Sequence, residues 1–259
     1  MEKHYYHEYY KQERCHWWFS VRSQILSAIL RQNTDPNRKY KIIDIGVATG
    51  ASTELLRAWG DVTPVEYDKD CCEFASRILN THVHNDSITD LHFEDESFDV
   101  VCAFDVIEHV ADHRKAVQEM YRVCRKGGWI FITVPALMSL WSQHDVINHH
   151  HRRYRRSELL DLFKDLRGTH QRVTYFNSLL FPPIYLFRSI SRLFQGKTPK
   201  TQVTSDFNVI NDQSILGKIS NAILGRIFGL EVSILKGVDL PIGVSLLVLF
   251  RKHDSAGAA

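Results

Sequence analysis

The chain alternates short apolar runs with amphipathic stretches, and glycine or proline punctuates many of the joins. Residues 15–32 carry Trp18, Ile25, Leu26 and Ile29 at helical offsets, with Arg22 and Arg31 on other faces, until Asn33-Thr34-Asp35-Pro36-Asn37 breaks the run. Lys41-Ile42-Ile43-Asp44-Ile45-Gly46 then reads as a buried strand, followed by a glycine turn and a helix over 52–60 with Gly60 as its stop. The same order returns in strand 61–67 with helix 68–79, in strand 98–106 with a helix near Asp112 to Cys124, and in strand 127–135. This rhythm predicts a parallel sheet with helices on both faces, an α/β fold.

Beyond Pro135 the rhythm changes. A His- and Arg-rich segment, 141–156, leads into a helix from about Ser157 and a strand at 171–176. Residues 177–242 read as a helical insertion, with apolar segments 178–194 and 214–237 joined by a polar linker at 195–212, and 241–252 reads as the last strand. The expected organisation is an N-terminal helical cap (1–40), an α/β core (41–176), the insertion (177–242), and a last strand with tail (243–259).

With 259 residues, 44% of them hydrophobic, the chain can bury a sizeable core, which excludes disorder and small disulfide-stapled scaffolds. A formal charge of +2 provides no global field to gather nucleic acid or an anionic membrane, so any anion site must be local. Five cysteines without a C-x-x-C pair point to a reducing compartment. The start of the chain lacks a secretory pattern, and no uninterrupted apolar run reaches the roughly 18 residues of a spanning helix. A cytoplasmic location is expected.

Candidate chemistry begins at Asp44-Ile45-Gly46-Val47-Ala48-Thr49-Gly50, where a strand hands over to a helix. Small residues there let backbone approach a ligand, and a helix N-terminus offers unpaired N–H groups. Glu66 ends the next strand, where a carboxylate can accept from both hydroxyls of a ribose, and Asp86 follows the third, where it can accept from an adenine amino group. Together these suggest an adenosyl ligand. A dinucleotide is disfavoured because G-x-G-x-x-G is absent, and because Asp44 would repel a pyrophosphate but attract an ammonium group. Asp44 as a structural cap of the turn is the plainer alternative.

At these residues the sequence resembles the class I S-adenosylmethionine-dependent methyltransferases, with DIGVATG, VEYD, HNDSITDLHFEDESFDVV, FDVIEHV and RVCRKGGWIFITVP standing in that family's order over residues 41–135. The resemblance implies a Rossmann-like sheet, mostly parallel with its last strand antiparallel, and S-adenosyl-L-methionine as cofactor. It places Gly46, Ala48 and Gly50 along the methionine end, with Asp44 holding the amino group. Glu66 would take the ribose, Tyr67 the adenine face, Asp86 and Ser87 the adenine edge, while Phe104 and Asp105 close the pocket. Ala48 departs from the pattern, which has glycine there.

Within the family, the E-H-V ending and the later H-x-x-Y-x-x-S-E-L resemble the ubiquinone-type O-methyltransferases, in which a histidine lies in the acceptor pocket. His150 and His151 are then the leading catalytic histidines, with His109 a further candidate and Tyr154 an aromatic wall. The HWWF start followed by Arg22, and the HHRRY loop, resemble a bacterial subgroup associated with glycan or lipid-linked substrates. Trp17 or Trp18 would cover the methionine or the acceptor, and Arg152 or Arg153 would clamp an anionic acceptor. A metal held by His144, Asp145, His149 and His150 is disfavoured, because consecutive side chains diverge; no metal is expected, and His144 is kept as an acceptor contact. The apolar segment 178–194 would form a lid, a dimer surface or a peripheral membrane contact. The reading is a methyltransferase acting on oxygen of a small-molecule, glycan or lipid-linked acceptor, and not on nucleic acid. A catalytically silent cofactor-binding scaffold subunit is the alternative.

Overall fold

A computed structural model describes residues 6–194 and 215–254; the linker expected over 195–212 lies outside the described residues. Two helices, α1 (Tyr6–Cys15) and α2 (Trp17–Asn33), precede the sheet, where the sequence suggested one. His16 separates them, accepting at Nδ1 from Trp18 N–H (3.3 Å) as the N-cap of α2.

The core alternates β1 (Tyr40–Ile45), α3 (Ala51–Leu56), β2 (Gly60–Glu66), α4 (Lys69–Leu79), β3 (His84–Asn85), β4 (Phe98–Phe104), α5 (His113–Val123) and β5 (Cys124–Pro135). Gly60 opens β2 and does not stop the preceding helix, which ends at Leu56. Asp68 and Asp112 cap α4 and α5 by accepting from Cys71 N–H and Lys115 N–H, each at 3.0 Å. After β5 come the short helices α6 (Gln143–Ile147) and α7 (Arg156–Asp161), then β6 (Gly168–Phe176), α8 (Phe181–Phe194), α9 (Ile215–Ile234) and β7 (Ser245–Lys252).

The seven strands lie in the order β3-β2-β1-β4-β5-β7-β6. The first five are parallel, and β7 runs antiparallel between β5 and β6. Central strands buried on both faces explain the nearly unbroken apolar runs at 42–45 and 98–104. One apolar layer joins the sheet to α5 and α7 through Ala116, Val117, Met120, Leu159 and Phe163. The other joins it to α2, α3 and α9 through Ile25, Ile29, Leu56, Phe228 and Leu235. Helices therefore cover both faces, and the carboxyl ends of β1, β2 and β4 converge on one crevice.

Candidate active site

The strand order reverses between β1 and β4, and open α/β sheets take ligands beyond the carboxyl ends of such a pair. The turn after β1 occupies that place, with Gly46, Ala48 and Gly50 left-handed at φ 75°, 47° and 94°. A Cβ on Gly46 would stand 2.5 Å from Val106 Cγ2, and one on Gly50 2.8 Å from Leu79 Cδ2, so neither position accepts a side chain. Ala48 carries the left-handed strain of an L-residue, roughly 1 kcal/mol. Its N–H donates to Glu66 Oε2 (3.0 Å) and its carbonyl accepts from Cys71 Sγ (3.2 Å), which holds the turn closed.

Asp44 ends buried beneath this turn. Its Oδ2 accepts from Ser52 Oγ and Thr53 Oγ1, both at 2.7 Å, whereas Oδ1 has no hydrogen-bond partner among the described residues. Burial pushes its pKa up to about 6, against the hydroxyl bonds and the charge of Arg22. An ammonium group would satisfy that orphaned oxygen, so the amino-acid end of S-adenosylmethionine fits here. Glu66 accepts from Asp68 N–H at Oε1 (3.1 Å) and from Ala48 N–H at Oε2, leaving lone pairs for ribose hydroxyls. Burial raises its pKa as well.

The remaining cofactor candidates divide. Tyr67 stands exposed at the mouth of the crevice. Asp86 is engaged by His92, whose N–H and Nδ1 both lie 2.8 Å from its oxygens, while Ser87 Oγ meets Thr89 Oγ1 at 2.9 Å. Phe104 does not close the pocket. Its ring turns into the core, edge-on to Phe131 at 5.1 Å, because β4 alternates sides and delivers the next residue to the crevice instead. That residue, Asp105 (φ 58°), pairs with Arg22 at 2.6 Å.

Arg22 thus reaches from α2 to the crevice, with its guanidinium 5.1 Å from the Trp18 ring. Trp17 turns the other way and packs edge-on against Phe228 of α9 at 5.7 Å, so it is an interface residue and not a substrate wall. α1 lies across the crevice. Tyr6 donates to Asp68 Oδ1 (3.1 Å), Glu13 accepts from Thr49 Oγ1, and Arg14 bonds Thr49 O and pairs with Glu54 at 2.8 Å.

The acceptor side is built from the turn after β4 and the loop after β5. Asp145, fully buried, accepts from Ser142 N–H (2.8 Å), His150 Nδ1 (2.9 Å) and Arg153 Nε (2.7 Å). Burial alone would raise its pKa, but the His150 bond and the Arg153 charge hold it well below the usual carboxylate range. Because a carboxylate only accepts, Nδ1 of His150 carries the proton and Nε2 is left to act. The ring stands edge-on to His109 at 4.6 Å and 6.1 Å from His144. Burial lowers both of these neighbours to about 4, so they are neutral near pH 7. Glu108 is buried with both oxygens unpartnered among the described residues, and burial followed by the Asp105 charge raises its pKa well above the ordinary value. Glu108, His109 and His150 bring ligand atoms within 4.8 Å of one another, a different grouping from the four residues weighed in the sequence.

Several expectations for this loop are corrected. His151 points to solvent and contributes only its N–H, to Glu108 O (2.8 Å). Arg153 is spent inside the protein on Asp145 and Ala136 O, since a buried carboxylate requires a cation. Tyr154 is a core residue whose hydroxyl donates to Ile107 O (3.2 Å) and meets His113 Nδ1 (2.8 Å). Arg152 donates to Ala111 O at the edge of the site. Glu108, Glu13 and the structural role of Asp145 went unread. The only local signal was Asp145 preceding His150 by one turn-length of loop.

Residues 43–132 match the family model described as "Methyltransferase domain". Within that class, a demethylmenaquinone methyltransferase of Clavibacter sepedonicus is 35% identical over 36% of this chain and 40% of its own length. A phosphatidylethanolamine N-methyltransferase of Cereibacter sphaeroides is 29% identical over 37% of this chain and 50% of its own. The chain thus spans half or less of the curated relatives it matches. A solved S-adenosylmethionine-dependent methyltransferase from Thermotoga maritima shares the fold, with TM-score 0.56 and 16% identity over 96% of this chain and 97% of that one. Residues 43–132, with their glycine turn and Asp44, are accordingly similar to a methyltransferase domain, and the residues present fit S-adenosyl-L-methionine as cofactor.

Proposed function

We infer that the protein moves a methyl group from S-adenosylmethionine to an oxygen of a small-molecule, glycan or lipid-linked acceptor. The observation that carries this is His150, fixed by a buried Asp145 through Nδ1 beside the neutral ring of His109. When bound, the cofactor supplies an electrophilic methyl on a sulfonium. An acceptor hydroxyl on the His150 side would give its proton to Nε2 as its oxygen takes up that methyl group. Asp145 stabilises the imidazolium so formed, as the third member of a triad does. Asp44 and Glu66 hold the two ends of the cofactor, and α1 with Trp18 excludes water.

The relatives support an acceptor with an apolar tail, since one is named for a demethylmenaquinone and another for phosphatidylethanolamine. All five cysteines are free and four are buried, which supports a reducing, cytoplasmic setting. Segment 178–194, expected as a lid, a dimer surface or a peripheral membrane contact, meets the acceptor side through Arg188 and Leu140 O.

Turnover to S-adenosylhomocysteine with phenolic and polyprenyl-linked alcohols tests the reading. His150→Ala should lower turnover about 10²–10⁴-fold with cofactor affinity unchanged. Asp145→Asn should lower it and displace the pH–rate profile, because the tautomer is no longer fixed. Cofactor binding without turnover on any acceptor, or turnover indifferent to His150, would refute oxygen transfer through this residue; absence of cofactor binding would favour the scaffold.

A further inference from the structure

α9 is apolar on a second side besides the one that meets the core. Leu224, Phe228 and Leu235 face the core, while Ile219, Ile223, Ile227, Leu230 and Ile234 form a second stripe at spacings of three and four, each 36–62% exposed. An exposed apolar stripe of this length normally meets a partner or a membrane. α8 repeats the pattern, with Leu186 and Phe187 at 60% and 68% exposure beside Tyr185 and Ile190.

The charges around these faces have one sign. Lys218, Arg226 and Lys236 are exposed along α9, and its single carboxylate, Glu231, is buried and accepts from Leu179 N–H (2.7 Å). Asp239, just beyond, is already paired with Arg172. A two-fold contact through α9 would set these cations against one another, and α9 itself offers no exposed acid to answer them. An anionic lipid surface meets both features, because interfacial helices combine an apolar stripe with flanking Lys and Arg. Among the described residues no helix is long and apolar enough to cross a membrane, so the helices would lie on it.

The position of this face links it to the acceptor site. Arg188 of α8 donates to Leu140 O, in the segment leading to α6, and Met138 of that segment and Val146 and Ile147 of α6 are exposed. Asn221 of α9 accepts from Trp17 N–H at 2.8 Å, which ties α9 to the start of α2. We propose that the outer faces of α8 and α9 dock on an anionic bilayer surface and bring the His150 side to lipid-borne acceptors. Only the naming of what is fetched rests on the function inferred above; the docking does not.

The test is sedimentation of the full chain with vesicles of phosphatidylcholine alone and of phosphatidylcholine doped with phosphatidylglycerol, with S-adenosylhomocysteine calorimetry alongside. Binding should require phosphatidylglycerol and weaken with salt. Ile223→Asp with Leu230→Asp, and separately Lys218→Glu with Arg226→Glu, should each weaken it about tenfold or more while leaving calorimetry unchanged. These positions are exposed, so folding should survive, and the calorimetry verifies it. No binding to either vesicle, binding indifferent to both variants, or a dimer that the Asp variant dissolves would overturn the proposal. Failure of the calorimetry with vesicle binding intact would strike the methyltransferase reading instead.

Discussion

Asp44 shows how one buried atom defines a ligand. Ser52 and Thr53 satisfy one oxygen and leave the other facing the turn, in a place too dry for a free charge. Its pKa rises from 3.8 to about 6, so the stability it contributes is full below the lower value and lost as pH climbs through the upper one. Cofactor binding has the opposite sign, because an ammonium group needs the ionised carboxylate. Affinity for S-adenosylhomocysteine should therefore rise as pH passes about 6 and then level. Asp44→Asn should bind about tenfold to hundredfold more weakly on the plateau, the worth of a charged hydrogen bond, and lose the pH dependence. Affinity that falls over the same interval would remove Asp44 as the anchor. The sequence singles this residue out because a turn between strand and helix has local rules. Arg153 was not, since its use depended on a buried Asp145 that only the folded loop reveals.

At the scale of elements, strands and capped helices were readable where periodicity is strong, as in α5 with its Asp112 cap, and less so where packing decides. α1 was missed because its sequence is largely polar; it is held by a short aromatic edge, Tyr6 and Tyr10 against Phe74 of α4, and by contacts with the glycine turn. The sequence reads 177–242 as a helical insertion, yet how its helices attach is not written there. Glu231, at the far end of the chain, accepts from Leu179 N–H at the start of α8 and so ties α9 to it. Burial raises its pKa, and one oxygen, Oε2, has no partner among the described residues. Glu231→Leu should orphan that N–H and cost about 1–3 kcal/mol, read as a lower urea midpoint. Glu231→Gln, which keeps an acceptor, should recover most of it, and cofactor affinity should be unchanged in both. Equal midpoints for Leu and wild type would show that the helices are held by apolar packing alone.

Across the whole molecule, cofactor exchange must contend with α1, which spans from the α3 end of the crevice to α4. Its central contact is a carboxyl: Glu13 lies buried against Thr49, and burial pushes its pKa up to about 7 despite the hydroxyl bond and the neighbouring Arg14. A raised acid stabilises the docked helix while protonated, and that contribution disappears as pH rises through about 7. Opening of the strap should become easier over an interval above the one in which Asp44 ionises. The two residues thus act on different observables, Asp44 on affinity through about 6 and Glu13 on the rate of release through about 7. Stopped-flow dissociation of S-adenosylhomocysteine should quicken between mildly acidic and mildly alkaline buffer in the wild type. Glu13→Gln, neutral throughout, should hold the slow rate at every pH while the calorimetric step due to Asp44 remains. If Glu13→Gln keeps the acceleration, the strap opens through another contact, and the Tyr6–Asp68 bond is the next to vary. If release is independent of pH in the wild type, α1 is a fixed wall and the cofactor leaves by the acceptor side.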